Sequence, residues 1–292
     1  MALYDWKLVC AAVRSADRAV KRRGRKMVYT DQQIVKMLLW TVKHDRPLCW
    51  GCDRTNYAGG MYRPKQLPSV SQFCRRVQSQ RVVAMIEHVN RRLMRPCRPI
   101  SVVSVDGKAL PVSEYTQDND AANGWGTGRF QRGYKLHACV SDEDLFVGFE
   151  VHPLNVSERT VARDLLGRAV GPGVFALGDT QYDSSPLHAI CRAHGGRLLT
   201  PLQAGTRRVD RAKHSDPGRR QLMVLWARQP DAMECLLHER KRIERAFANL
   251  GNAGDGFKGL PPWVRGLEKV RRWVTVKIIF YHARLIARRM KT

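Results

Sequence analysis

Two aspartates stand where apolar runs stop: Asp106 in SVVSVDG and Asp179 in VFALGDTQYDSS. Each run is rich in β-branched, aromatic or aliphatic residues and ends beside a glycine, so both acids are expected at strand tips. Aspartate is also an ordinary turn former, because its side chain bonds the backbone two residues on, and for either acid alone that reading stays open. If the two strands lie side by side and parallel, both carboxylates reach one sheet edge, where open α/β sheets place their ligands. Two unpaired carboxylates would repel there, and a hard divalent cation, Mg²⁺ or Mn²⁺, makes the pairing favourable. A third acid is expected on a helix over the sheet. Glu244 fits, because it follows Ile243 on the edge of an apolar stripe, with Arg240 four residues earlier on the same side. An exposed helical ion pair worth roughly 0.3–0.5 kcal/mol would explain Arg240 and Glu244 equally well.

The elements that must position these acids follow from periodicity. Thr30 with Gln33 and Ser69 with Gln72 have capping-box spacing. Ile34, Leu38 and Val42 mark one helix. Phe73, Val77, Val82, Met85, Ile86, Val89 and Leu93 predict a second, longer one decorated with arginines and ending before Pro96. The stretch between them, from Asp45 to Val70, is expected to be irregular. RPCRPI, at 95–100, breaks the helical period and marks the boundary between a helical region, 1–99, and a second domain, 100–292. Beyond it, SVVSVDG is a strand, and GYKLHACV and LFVGFEV flank the turn SDED as a hairpin. Ser157 is placed to cap a helix through Val161 and Leu165. VFALGD and RLLTPL read as strands around a short helix, 186–194. Residues 204–236 form a short insertion with a candidate strand at MVLWA. Glu239 opens the helix of Ile243, Phe247 and Leu250, and a last helix from Glu268 to Met290 carries an apolar face. Strand, hairpin, helix, strand, helix, strand is the order of a mixed α/β layer.

Charge is distributed unevenly. Residues 1–99 hold 21 Lys+Arg against 6 Asp+Glu and residues 238–292 hold 14 against 4, while the centre has 16 of each, within a net charge of +25. Basic flanks around a neutral, acid-bearing centre suit a protein that grips a phosphate backbone around a reaction centre. Arg-rich solvated helix faces would give the same count. No long apolar run and no leader-like N-terminus are present, so a soluble intracellular protein without a membrane partner is expected. Among eight cysteines only Cys49 and Cys52 are close. No second ligand pair follows them, so reduced thiols are the default.

Four motifs in order, VDGK at Asp106, GYKLHACVSD, ALGDTQYDSS at Asp179 and RKRIERAFANLGN around Glu244, resemble the DDE transposases of bacterial insertion sequences. The resemblance covers about 100–290 and implies a ribonuclease-H-like catalytic domain behind a small basic helical DNA-binding region. It also implies a metal-binding triad of Asp106, Asp179 and Glu244, with Arg240 matching an arginine that one large branch carries a turn before the glutamate. In that branch a tyrosine stands three residues before the arginine and a lysine seven after the glutamate. This chain has Leu237 and Gly251 there, so those two DNA contacts are not expected from these positions, and Lys258 is a candidate substitute for the lysine.

The function so implied is cleavage at the ends of a mobile element and attack of the freed 3′-hydroxyl on target DNA. Two Mg²⁺ or Mn²⁺ ions would be held by the three acids, with Asp106 between them. Double-stranded DNA is the expected partner, a homodimer or larger synaptic assembly the expected form, and the bacterial cytoplasm the expected compartment. Arg75, Arg76, Arg240, Arg271, Arg272, Lys135 and Lys258 are the expected DNA contacts. Tyr182, Asp183 and His137 lie close enough in sequence to orient DNA or to be structural, and Trp125, in a glycine-rich loop, is a candidate for base stacking. Two other readings remain: a non-catalytic DNA-binding repressor derived from a transposase, which needs none of the three acids, and a nuclease of the same fold that cuts without joining.

Overall fold

Where the helical period stops, after residue 95, the chain turns from helices to a sheet. The structure, a computed structural model, describes residues 2–20, 27–57, 61–113, 115–126, 128–202, 216–250 and 260–290. In chain order the elements are α1 (Ala2–Ala19), α2 (Asp31–Lys43), α3 (Val70–Arg76), α4 (Gln80–Leu93), β1 (Val102–Pro111), β2 (Ala122–Gly126), β3 (Arg129–Ser141), β4 (Phe146–Pro153), α5 (Glu158–Ala169), β5 (Phe175–Leu177), α6 (Ser185–Ala193), β6 (Arg197–Leu199), α7 (Pro217–Arg228), α8 (Pro230–His238), α9 (Lys241–Asn249) and α10 (Leu267–Arg289). They form two compact units, Met1–Arg95 with Pro261–Thr292, and Pro96–Leu260.

In the helical unit, α1, α2, α4 and α10 pack on one another. The Thr30 hydroxyl accepts the Gln33 N–H at 3.2 Å, and Ser69 and Gln72 complete a reciprocal capping box. The single helix expected from Phe73 to Leu93 is instead two, α3 and α4. Ser79 sets the break: its hydroxyl bonds the Arg76 carbonyl at 2.8 Å, and its extended backbone makes it the N-cap of α4, the usual competition of a serine side chain with a continuous helix. The last helix, expected with the sheet, packs with the N-terminal helices. It buries Val270, Trp273, Val274, Ile278, Ile279 and His282, which lie all round it, and such a helix needs neighbours on every side.

The other unit is built on a six-stranded sheet in the order β2-β3-β1-β5-β6, with β4 also pairing β3. β1, β3 and β4 are antiparallel, and β5 and β6 run parallel to β1. This is a mixed sheet flanked by helices, as the order of elements in the sequence implies. One face, through Val103, Val105, Ala176 and Leu198, packs on α5 and α6. The other, through Leu177 and Leu199, receives Leu222 and Met233 of α7 and α8, and α9 lies against β1 and β3. MVLWA is not a strand but part of α7: Asp216 caps it, Pro217 opens it, and the Trp226 indole bonds the Thr200 carbonyl at 2.9 Å. No helix among the described residues is long and apolar enough to cross a membrane.

Candidate active site

Asp106 does not end its strand. β1 pairs with β3 from Val103↔Ser141 to Pro111↔Gly133, so Asp106, opposite Ala138, lies mid-strand. On its other side β1 loses its neighbour early, because the pairing with β5 stops at Ser104↔Leu177. Asp106 and Asp179 each lie two residues beyond that last pair, on adjacent parallel strands, which run about 4.8 Å apart. The sheet therefore opens where both acids are, and Asp179 is near enough for its charge to act on Asp106.

Both are half-buried. One oxygen of Asp106 accepts the Gly107 N–H at 2.8 Å, and one oxygen of Asp179 accepts the Gln181 N–H at 2.8 Å. Asp179 thereby caps a short 3₁₀ turn, Thr180–Tyr182, so the turn-forming role open to it in the sequence is also realised. Burial first, and then the negative charges of Glu158 and Asp179, push Asp106 up to about 6, against the Gly107 bond and the Arg240 guanidinium, which favour its charge. Such crowding of oxygen ligands suits a hard divalent cation.

α9, which carries the third expected acid, lies against β1 and β3. Ile243, Ala246 and Phe247 are buried, the Phe247 ring lies 6.0 Å from Phe146, and Arg242 reaches Asp144 in the β3–β4 turn at 3.6 Å. Arg240 is near enough to influence Asp106, and Glu244 pairs with it at 3.7 Å while its side chain stays 58% exposed. The structure thus sets Asp106 and Asp179 at one opening of the sheet and leaves Glu244 on α9 paired with Arg240, one helical turn along from it. Among the described residues no three acidic, histidine or cysteine side chains form a ligand set.

The remaining candidates fall into two groups. Arg75 is exposed and Arg271 half-exposed, the latter paired with Glu268 at 2.8 Å. Arg76 is tied to Asp31 and to the Tyr29 carbonyl, and burial lowers the pKa of Arg272. Lys135 is buried, with its ammonium 2.7 Å from Glu158, and Lys258 lies outside the described residues. His137 is buried and pushed down to about 4 by that burial. Asp183 is buried in a two-pronged bond with Arg219. Trp125 belongs to β2 rather than to a loop, opposite Phe130, and both rings are about two-thirds exposed. Cys49 and Cys52 are free thiols, with Cys52 pushed up to about 11, burial being the main cause.

Sequence reasoning missed Glu158. It opens α5, contacts the backbone side of Gly107, where an added Cβ would lie 3.1 Å from its carboxyl carbon, and influences Asp106. Its only signal was an acid following a helix-capping serine, which any helix start would show.

Residues 97–257, more than half of the chain and nearly all of the sheet-bearing unit, match the transposase DDE domain. The chain belongs to the DDE transposase family. Transposase-type function comes with that membership. Among curated proteins no match is found. Among solved structures, a piggyBac transposase synaptic complex with hairpin DNA aligns over 98% of this chain and 75% of that one, at 8% identity and a TM-score of 0.46. A simian T-cell lymphotropic virus intasome in complex with a PP2A regulatory subunit aligns over 63% and 65%, at 12% identity and a TM-score of 0.22.

Proposed function

We propose that this DDE transposase cuts phosphodiester bonds at the ends of a mobile DNA element and joins the freed 3′-hydroxyl to target DNA, with Asp106, Asp179 and Glu244 as ligands of divalent metal ions. The observation that carries the proposal is the placement of Asp106 and Asp179 at equivalent steps beyond the last paired residues of two parallel strands. The residues fit the ion in kind: oxygen donors alone, one of them a carboxylate whose charge its surroundings disfavour. Bound there, Mg²⁺ or Mn²⁺ supplies charge stabilisation to the phosphate oxygens and activates the attacking oxygen.

The chain's own residues do the rest. Asp106 and Asp179 present their oxygens from backbone fixed by the sheet and by a capped turn. Glu244 joins them by leaving Arg240, a side-chain rotation that its exposure allows. Arg240, so released, faces the same site with a planar fork of donors suited to a phosphate of the bound DNA. Arg75 and Arg271 offer exposed charge to the DNA backbone, and Lys258 remains a candidate for it. Arg76 and Lys135 serve the fold through their carboxylate partners. Double-stranded element ends and target are the substrates, and a dimer or larger assembly is needed to hold two ends together.

The test is cleavage of DNA carrying the element's own termini in Mg²⁺ or Mn²⁺, beside Asp179→Asn, which keeps the turn cap while removing the charge. Cleavage should fall at least about a thousandfold, with DNA affinity unchanged or raised, because a negative charge near phosphate is gone. Cleavage that survives the substitution refutes the site. Binding without any cleavage by the unaltered protein supports the repressor reading, to which the Arg240–Glu244 pair is native.

A further inference from the structure

Glu158 joins three elements at the site. Its Oε1 accepts the Lys135 ammonium of β3 at 2.7 Å, and its Oε2 accepts the Tyr182 hydroxyl at 2.9 Å. Tyr182 is three residues beyond Asp179, in the turn that Asp179 caps. The neighbouring residue of α5 holds the same turn independently: Arg159 Nε donates to the Gln181 carbonyl at 2.6 Å. The two first residues of one helix therefore grip the two residues that follow Thr180.

The grip is buried and close-fitting. Tyr182 is 1% exposed and packs in the core beneath α5, and a Cβ on Gly178 would come within 2.8 Å of its Cβ. Gly107, the neighbour of Asp106, leaves the space that the Glu158 carboxyl fills. Burial disfavours the Glu158 charge, but Lys135 and the Tyr182 hydroxyl outweigh it and hold the carboxyl below its ordinary pKa. An ionised acceptor makes both bonds strong.

We infer that Glu158 and Tyr182 are positioning residues: the Lys135–Glu158–Tyr182 chain clamps the turn bearing Asp179 against the strand bearing Asp106 and so sets the spacing of the two carboxylates. Neither side chain contacts the reacting phosphate; they act through Asp179. The role in metal binding rests on the proposed function, whereas the clamp itself does not.

Tyr182→Phe removes one hydroxyl and preserves the packed ring, and Glu158→Gln keeps an acceptor while removing its charge. Hydrogen exchange on the metal-free protein reads the clamp. In Tyr182→Phe, amides from Gly178 to Asp183 should exchange roughly tenfold faster or more, since a bond to a charged acceptor is lost, with β3 and β4 unchanged. Mn²⁺ titration followed by electron paramagnetic resonance reads the consequence, with affinity weakened about 10- to 100-fold in Tyr182→Phe and at least as much in Glu158→Gln, which keeps only one of the two acceptor oxygens, while DNA affinity holds. Unchanged exchange around Asp179 overturns the inference, as does unchanged Mn²⁺ affinity in a protein whose Mn²⁺ binding depends on Asp106. Faster exchange in a protein that binds no Mn²⁺ at all upholds the clamp and removes the proposed function.

Discussion

Asp106 is a carboxylate that the fold holds at a cost. Its pKa, raised to about 6, means that the native state binds more protons than the unfolded chain between about pH 4 and pH 6. The metal-free protein should therefore lose stability as pH rises through that window and keep the loss above it. Asp106→Asn is expected to stabilise the metal-free protein by about 1–3 kcal/mol near neutral pH, with the gain vanishing below about pH 4, in urea melts across that range. Mn²⁺ should raise the melting temperature of the unaltered protein and leave that of Asp106→Asn in place. Asp106 and Asp179 are legible in the sequence because β-branched and aliphatic runs lead into them. Glu158 is not, because its importance comes from a glycine on another element that admits it.

At the scale of the element, α9 is what could complete the site. Ile243 is fully buried on it, so Ile243→Ala should cost about 2–5 kcal/mol. Because the helix also carries Arg240 and Glu244, cleavage should fall further than DNA affinity, when rates and gel-shift titrations are compared below the variant's melting temperature. The amphipathic spacing of Ile243, Phe247 and Leu250 made this helix legible, and the polar turn SDED between two apolar runs made β3 and β4 so. Three features were not. β1 runs on past Asp106 because β3 continues to pair with it, and pairing length is a property of the partner strand. Ser79 divides what periodicity alone joins. MVLWA has strand-like composition, but it lies inside a helix that Asp216 caps and Pro217 opens and that packs beside β6.

At the scale of the whole molecule, the two basic ends of the chain belong to one unit. Met1–Arg95 with Pro261–Thr292 holds 29 Lys+Arg against 7 Asp+Glu, and the sheet-bearing unit 22 against 19. The bias was legible, but the return of α10, which starts at Leu267, to helices that end by Leu93 was not, since nothing local in the sequence links segments so far apart. Separation of a basic unit from a carboxylate-bearing one suits a division between holding DNA and cutting it. Arg75→Ala and Arg271→Ala should each lower the slope of log affinity against log salt by about 1, measured by fluorescence anisotropy with duplex DNA. Arg76→Ala should instead act on stability through the loss of its Asp31 pair. The central claim, that Asp106, Asp179 and Glu244 converge on divalent ions, is tested most directly by Mn²⁺ anomalous scattering from crystals of the protein bound to its terminal DNA. The account predicts density between Asp106 and Asp179 with Glu244 turned from Arg240 to join them. Density elsewhere, or a complete ion site with Glu244 still on Arg240, would contradict it.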